Sequence, residues 1–320
     1  MKSILIAALA LAAAGSALAQ GSYPTRPVTM VVGFAPGGGT DTVARIIARN
    51  LSESLGQQVV VENKAGAGGN IATDYVAHAA PDGYTILLGS VGSLAVAPHV
   101  ISGLSYDPLR DFAPITMAVV FANVLVVQPS LPVQSLADFV KLAKDKPGTV
   151  TYGSAGILGA GHLAGELLKM RANLDMVHVP YKGGGPAMQG MLGDQVMSIF
   201  ATPVSAGGQI KAGRIRAIAT TGPKRAALLP EVPTVAESGY PGYEAMNWYA
   251  YLAPAKTPKE IIERLNRELV KALNNAEVVA LLHQQGLEPS PGSPVELARY
   301  MEREYETWGK VVKQAGIKAQ

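Results

Sequence analysis

The stretch Val28-Thr29-Met30-Val31-Val32-Gly33-Phe34-Ala35-Pro36-Gly37-Gly38-Gly39-Thr40-Asp41 decides the fold class. Residues 28–34 form a short apolar run, the pattern of a buried strand. A glycine-rich turn follows. Val43, Ile47, Leu51 and Leu55 then recur every four residues, one face of a helix that Thr40 or Asp41 can cap and Gly56 can end. Working outward, residues 58–62 (QVVVE) read as a second strand and residues 63–70 as a loop into a helix carrying Val76 and Ala77. Pro81-Asp82-Gly83 is a turn, and residues 85–88 form a third strand. This βαβαβ order predicts a mostly parallel sheet with helices on its faces.

A second set of elements follows. Strands are expected at 124–127, 149–152, 176–179, 196–200 and 215–219, with helices at 136–144, 162–170 and 188–192. The C-terminal third turns helical. Thr257-Pro258-Lys259-Glu260 reads as a capping box with proline at the first helical position. Ser293-Pro294-Val295-Glu296 repeats that start before Leu297, Met301, Tyr305 and Trp308. These helices are expected to return to the first half. The halves echo each other, Leu88-Gly89-Ser90-Val91-Gly92 against Tyr152-Gly153-Ser154-Ala155-Gly156, and Pro36-Gly37-Gly38-Gly39 against Lys182-Gly183-Gly184-Gly185. The reading is two α/β lobes, each with glycine-rich loops at the carboxyl ends of its strands, the edge where open α/β sheets hold ligands.

Composition narrows the function. The 320 residues suffice for two domains. With 48% hydrophobic and 16% charged residues, the chain is not a disordered one. A net charge of +3, with no Lys/Arg run longer than two, argues against a nucleic-acid partner. The absence of cysteine excludes disulfide scaffolds, thiolate metal sites and cysteine nucleophiles, and suits an oxidising compartment. Lys2, the apolar residues 4–14 and Ala17-Leu18-Ala19 form a secretory signal peptide over residues 1–19, cleaved after Ala19. The apolar run is shorter than the roughly 20 residues a membrane span needs. The mature chain is therefore expected to be soluble and exported.

The loops supply the candidate ligand site. Phe34, Pro36, Gly37, Gly38, Gly39, Thr40 and Asp41 join a strand to a helix, and three consecutive glycines exceed what an ordinary βα turn requires. Such a loop permits close backbone approach, and free N–H groups at a helix start can hold an anion. Asp41 reads as a cap or brace, because a carboxylate aimed at an anion would repel it. Ser154, Ala155, Gly156, Gly159 and His162 form the second candidate, His162 either touching ligand or holding its own loop. Ser90, Gly92 and Ser93 are a third. Lys182 and Gly183 are a fourth, Lys182 either offering positive charge or lying in solvent. Thr202 marks a fifth.

Enzyme motifs nearly match and fail. Gly159-Ala160-Gly161-His162-Leu163-Ala164 fits a dinucleotide fingerprint, but it sits past its strand end and no acidic residue closes the next strand. Ser90 and Ser154 lack the G-x-S-x-G spacing of a nucleophile elbow. No P-loop occurs, and His78, His99, His162, His178 and His283 form no ligand pair for zinc. No cofactor, no metal and no catalytic set are expected.

The ordered set of motifs resembles the Bug family, the TctC-like substrate-binding proteins of tripartite tricarboxylate transporters. The residues are Tyr23-Pro24-x-Arg26-Pro27, Val32-x-Phe34-x-Pro36-Gly37-Gly38-x-x-Asp41, Val61-Glu62-Asn63-Lys64-x-Gly66-Ala67-Gly68-Gly69 and Pro81-Asp82-Gly83-Tyr84-Thr85. His162-Leu163-x-Gly165-Glu166, Val179-Pro180-Tyr181-Lys182-Gly183, Val232-Pro233-Thr234-x-x-Glu237 and Trp248-Tyr249-x-x-x-Ala253-Pro254 follow. The resemblance implies a two-lobed Venus-flytrap (periplasmic-binding-protein) fold with crossing hinge strands, residues 20–121 and 241–320 forming one lobe and 122–240 the other. It implies that loops resembling 34–41 and 153–162 grip one carboxylate of a small ligand, partly through water, while residues near Ser90, Ser93 and Thr202 meet its far end. It also implies delivery to the membrane permease subunits of a tripartite tricarboxylate-type transporter. No arginine lies in any of these loops, so diacids, acidic amino acids and aromatic acids all stay open. A ligand-responsive signalling module would need the same cleft, and an exported hydrolase is the remaining alternative. Nothing in the sequence demands an oligomer, and a monomer is expected.

Overall fold

The structure is a computed structural model that describes residues 23–317, so the signal-peptide reading lies outside the described residues. The first unit follows the sequence closely. It runs β1 (Val28–Val32), α1 (Gly39–Leu55), β2 (Val59–Asn63), α2 (Asn70–Ala77) and β3 (Thr85–Ser90). β1 pairs in parallel with β2 and β3, Val28 opposite Val59 and Thr29 opposite Thr85. The chain then forms α3 (Ala97–Val100), β4 (Phe112–Ala122), β5 (Val124–Val127), α4 (Leu136–Asp145), β6 (Val150–Ser154) and α5 (Ala160–Ala172). β7 (Met176–Pro180), α6 (Gly184–Leu192), β8 (Ser198–Ala201), α7 (Pro203–Lys211) and β9 (Arg216–Thr220) complete the second unit. The return adds β10 (Met246–Pro254), α8 (Lys259–Leu273), α9 (Ala276–Gln284), β11 (Glu288–Pro289) and α10 (Pro294–Ala315).

Two sheets result. One has six strands in the order β11-β4-β10-β3-β1-β2, the other five in the order β7-β6-β8-β5-β9. Each is parallel only in part. β10 runs antiparallel to β3 and β4, and β5 runs antiparallel to β8 and β9. The expected parallel order thus holds for β2-β1-β3 and β7-β6-β8, and the strands that pass between the sheets supply the antiparallel half.

The chain crosses between the sheets at one knot of hydrogen bonds. Asn123 separates β4 from β5. Its N–H donates to Thr221 Oγ1 (2.9 Å), and Thr221 N–H donates back to the Asn123 carbonyl (3.0 Å). On the return, Thr221 Oγ1 donates to the Ala245 carbonyl (2.8 Å) and Ala245 N–H donates to the Thr221 carbonyl (2.9 Å). Both crossings are therefore tied at the same level, which confines bending to a few residues.

Each sheet is covered on both faces. Ile262, Leu265, Leu269 and Leu273 of α8 share a core with Val28, Val43 and Ile47. Leu297, Met301 and Trp308 of α10 pack with Leu87, Leu94 and Trp248 on the other face. The C-terminal helices thus return to the first sheet, as their apolar faces require. Leu158 and Leu163, from the second unit, join the same core as Leu94 and Trp248, so the two units meet.

The two expected capping boxes diverge. At α10, Ser293 Oγ accepts from Glu296 N–H (3.2 Å) and Glu296 Oε2 accepts from Ser293 N–H (2.7 Å). At α8 the cap position is Pro258 itself, with no side-chain cap bond, and the Thr257 hydroxyl is buried without a partner. A capping box needs an N–H at the cap to receive the glutamate, and proline has none. Ser293→Ala should therefore lower the unfolding free energy by about 1 kcal/mol. Urea unfolding should show a lower midpoint at unchanged slope, and an unchanged midpoint would mean the helix start contributes nothing.

Candidate functional site

Four helices begin at the cleft between the two sheets, and one of them, α7, is capped by the Thr202 side chain, which accepts from Ser205 N–H. α1 starts behind Gly38, α5 behind Gly159 and α6 behind Gly183, and at none of these does a side chain cap the first turn. Glycine has no side chain to offer, so the first N–H groups stay free for something else. The cleft between the sheets is lined by these starts: Gly38, Gly39 and Thr40 from one side, Gly159, Ala160, Gly161 and Gly184 from the other. Helix N-termini carry partial positive charge, so all three point a favourable field into one space.

Among the described residues, no Asp, Glu, Lys or Arg lines that cleft. Asp41, in the first turn of α1, is turned to structural work. Its carboxylate accepts from Gly37 N–H (3.0 Å), the Asn63 amide (3.0 Å) and Arg45, whose guanidinium lies 2.9 Å away. Burial pushes the Asp41 carboxyl up, but the Arg45, Gly37 and Asn63 hydrogen bonds outweigh it and hold it below its usual value. The bracing role follows, and the negative charge is neutralised before it reaches the cleft.

The loop after β6 is braced from beneath. Ser154 Oγ donates to the Gly156 carbonyl (3.0 Å) and lies 2.7 Å from His178 Nε2. His162 Nδ1 accepts from Leu158 N–H (3.1 Å), and the His162 and His178 rings stack at 4.1 Å. Ser154 is fully buried and His178 Nδ1 has no partner, so this serine–histidine contact lacks both an orienting acid and access to substrate. Its function is to hold the loop. Burial lowers the pKa of His162 to about 4, against the pull of Glu166 and assisted by Lys169. Burial lowers that of His178 to about 3, with His162 and Lys169 adding to it. Unfolded histidines titrate near 6.5, so below that pH the unfolded chain binds protons that the native chain refuses. Stability contributed by these rings is complete above pH 6.5 and falls as pH drops toward 3. The thermal midpoint should already be lower at pH 5 than at pH 7, and a flat profile would mean both rings protonate freely in place.

The structure gathers some of the expected residues and not others. Phe34, Gly38, Gly39, Thr40, Ser90, Ala155, Gly159 and Thr202 line the cleft together. Pro36 and Gly37 sit exposed at the turn. Ser93 is buried, its carbonyl accepting from Tyr106, and Gly92 packs against the Leu158 carbonyl. Gly156 and Lys182 line a second hollow beyond Phe34, where the Lys182 carbonyl accepts from Ala35 N–H (2.9 Å) across the two units. Gly183 packs against Ala35 in the same contact. Sequence reading missed Asn123, Ser205, Asn247 and Tyr249, all of which line the cleft. Asn247 had a signal, being one polar residue in the otherwise apolar run Met246-Asn247-Trp248-Tyr249-Ala250.

Comparison with known proteins identifies the family. The model of the tripartite tricarboxylate transporter family receptor matches residues 43–317. A protein of the tcbD–tcbE intergenic region of Pseudomonas sp. (strain P51) is 42% identical over 91% of this chain and 87% of its own length. BugT of Bordetella pertussis is 39% identical over 98% and 96%. Among solved structures, a Rhodopseudomonas palustris protein with adipate superposes with TM-score 0.89 at 40% identity, covering 93% of this chain and 99% of that one. MatC from Rhodopseudomonas palustris with bound malate gives 0.87 at 33%, covering 91% and 100%. The solved relatives are solute-binding proteins with two-lobed folds, not enzymes. The chain belongs to the receptor family of the tripartite tricarboxylate transporters, the TctC-like or Bug proteins.

Proposed function

We propose that this chain is an exported, periplasmic receptor that closes its two lobes on a small carboxylate and presents it to the membrane permease subunits of a tripartite tricarboxylate-type transporter. The observation that carries the reading is the convergence of three uncapped helix starts on a cleft that no charged side chain of the described residues lines. An anion there is held by N–H dipoles and hydroxyls from both sides. The adipate and malate seen in the two relatives have that chemistry.

The lobes in this reading are residues 20–121 with 241–320, and 122–240. The knot at Asn123, Thr221 and Ala245 serves as the hinge between them. A ligand touching both lobes shifts the equilibrium toward the closed state by its differential affinity for that state. The loops around Gly38 and Gly159 grip the carboxylate, Ser90 and Thr202 meet the rest of the ligand, and one chain suffices for the site.

A thermal-shift panel tests this. Adipate, succinate, malate, citrate, glutamate and benzoate should include at least one acid that raises the melting temperature by several degrees. A ligand at 100 times its Kd adds about 2.7 kcal/mol. Glucose and NAD should do nothing. If no acid shifts the midpoint while a neutral solute does, the carboxylate reading fails.

A further inference from the structure

Two asparagines stand at the floor of the cleft with amide atoms that no described residue satisfies. Asn123 is 1% exposed and its Nδ2 has no hydrogen-bond partner. Asn247 is 6% exposed and its Oδ1 has none. Both side chains line the cleft. The end of β4 brings them to the same cleft. Asn247 on β10 lies opposite Phe121, and Asn123 is the residue after β4, where the chain leaves the β4–β10 ladder and its backbone pairs with Thr221 instead.

We infer that Asn123 and Asn247 form a specificity pair that reads a hydroxyl on the ligand, so that the receptor favours hydroxy-carboxylates over the matching unsubstituted acids. The inference rests on the carboxylate reading above and names the other end of the same ligand. A hydroxyl accepts from Asn123 Nδ2–H and donates to Asn247 Oδ1. A methylene at that point leaves both buried atoms unpaired, which is costly. Sites built to hydrogen-bond a hydroxyl discriminate strongly against the analogue lacking it. Position adds a second effect. Asn123 is tied through its backbone to Thr221 at the crossing of the two strands, so a ligand group bound there is held at the level where the lobes turn.

Calorimetric titration of the purified protein with matched pairs decides it: malate against succinate, 2-hydroxyglutarate against glutarate, and 2-hydroxyadipate against adipate. In at least one pair the hydroxy acid should bind at least tenfold tighter than its partner. In Asn247→Leu and in Asn123→Leu that ratio should fall within threefold, through loss of affinity for the hydroxy acid alone. Equal affinities within every pair in the parent protein would overturn the inference while leaving the carboxylate reading standing, and this comparison needs no variant to fold. A ratio that survives both substitutions would overturn it too. If none of the six acids binds, the carboxylate reading itself falls and the inference falls with it.

Discussion

Replacing Gly68 with alanine should weaken carboxylate binding at least a hundredfold while costing the fold only about 1 kcal/mol for a left-handed non-glycine residue. Gly68 lies in the first lobe at φ +65°, and a Cβ there would sit inside the Ile157 carbonyl of the second lobe. The carbonyl is backbone and a Cβ is fixed to its own Cα, so no rotamer change relieves the clash. The cheapest relief is to separate the lobes, which makes the closed state a minor one and reduces apparent affinity by its lost population. Gly92, whose Cβ would lie 2.8 Å from the Leu158 carbonyl, is the next contact along the same seam. Gly56→Ala is the control, because Gly56 has φ +69° at the end of α1 with open space around it. It should lower stability to a similar degree and leave Kd unchanged. A Gly68→Ala protein that binds within threefold of the parent would show that the bound lobes do not meet at that seam.

Trp248→Ala should lower the unfolding free energy by about 3–5 kcal/mol, the range for truncating a buried aromatic residue. Trp248 is fully buried on β10, the strand that returns to the first sheet. Its ring meets Tyr300 edge-on at 5.6 Å, and its Nε1 donates to Glu304 Oε2 (2.8 Å). One side chain thus ties the return strand to α10. Trp248→Phe keeps most of the packing and loses the hydrogen bond, so about 1–2 kcal/mol is expected there. Urea unfolding followed by far-ultraviolet circular dichroism reads both. A loss below 1 kcal/mol for the alanine variant would mean that α10 is not held through this contact.

The glycine-rich joints were legible because they pair a local signal with a physical demand. An apolar run, a glycine cluster and a four-residue apolar repeat can hardly be anything but strand, turn and helix, and β1, α1 and β2 lie where that pattern put them. The crossing strands were not legible from the residues. Buried positions fill β10 from Asn247 to Pro254 without interruption, so neither a two-residue nor a helical period appears. Pro114 and scattered alanines disguise β4 in the same way. The missed residues Asn123, Asn247 and Tyr249 sit on or beside those two strands, because a cleft floor made by chain crossings brings together positions more than a hundred residues apart. The same holds beneath the second loop, where His178 arrives from β7 to meet Ser154 and His162. Sequence placed each of these residues on its own element and could not place them against one another. The resemblance to a known family, carried by ordered short motifs, implied the crossing that the residue patterns hid.

Closure of the two lobes on a carboxylate can be read by small-angle X-ray scattering, on the parent and Gly68→Ala proteins, each without ligand and with a saturating amount of the acid that gives the largest thermal shift. The parent should contract on addition of the acid. Gly68→Ala should stay more extended than the liganded parent under both conditions. Scattering curves that are identical for the parent with and without the acid, at concentrations where calorimetry shows it bound, would contradict closure.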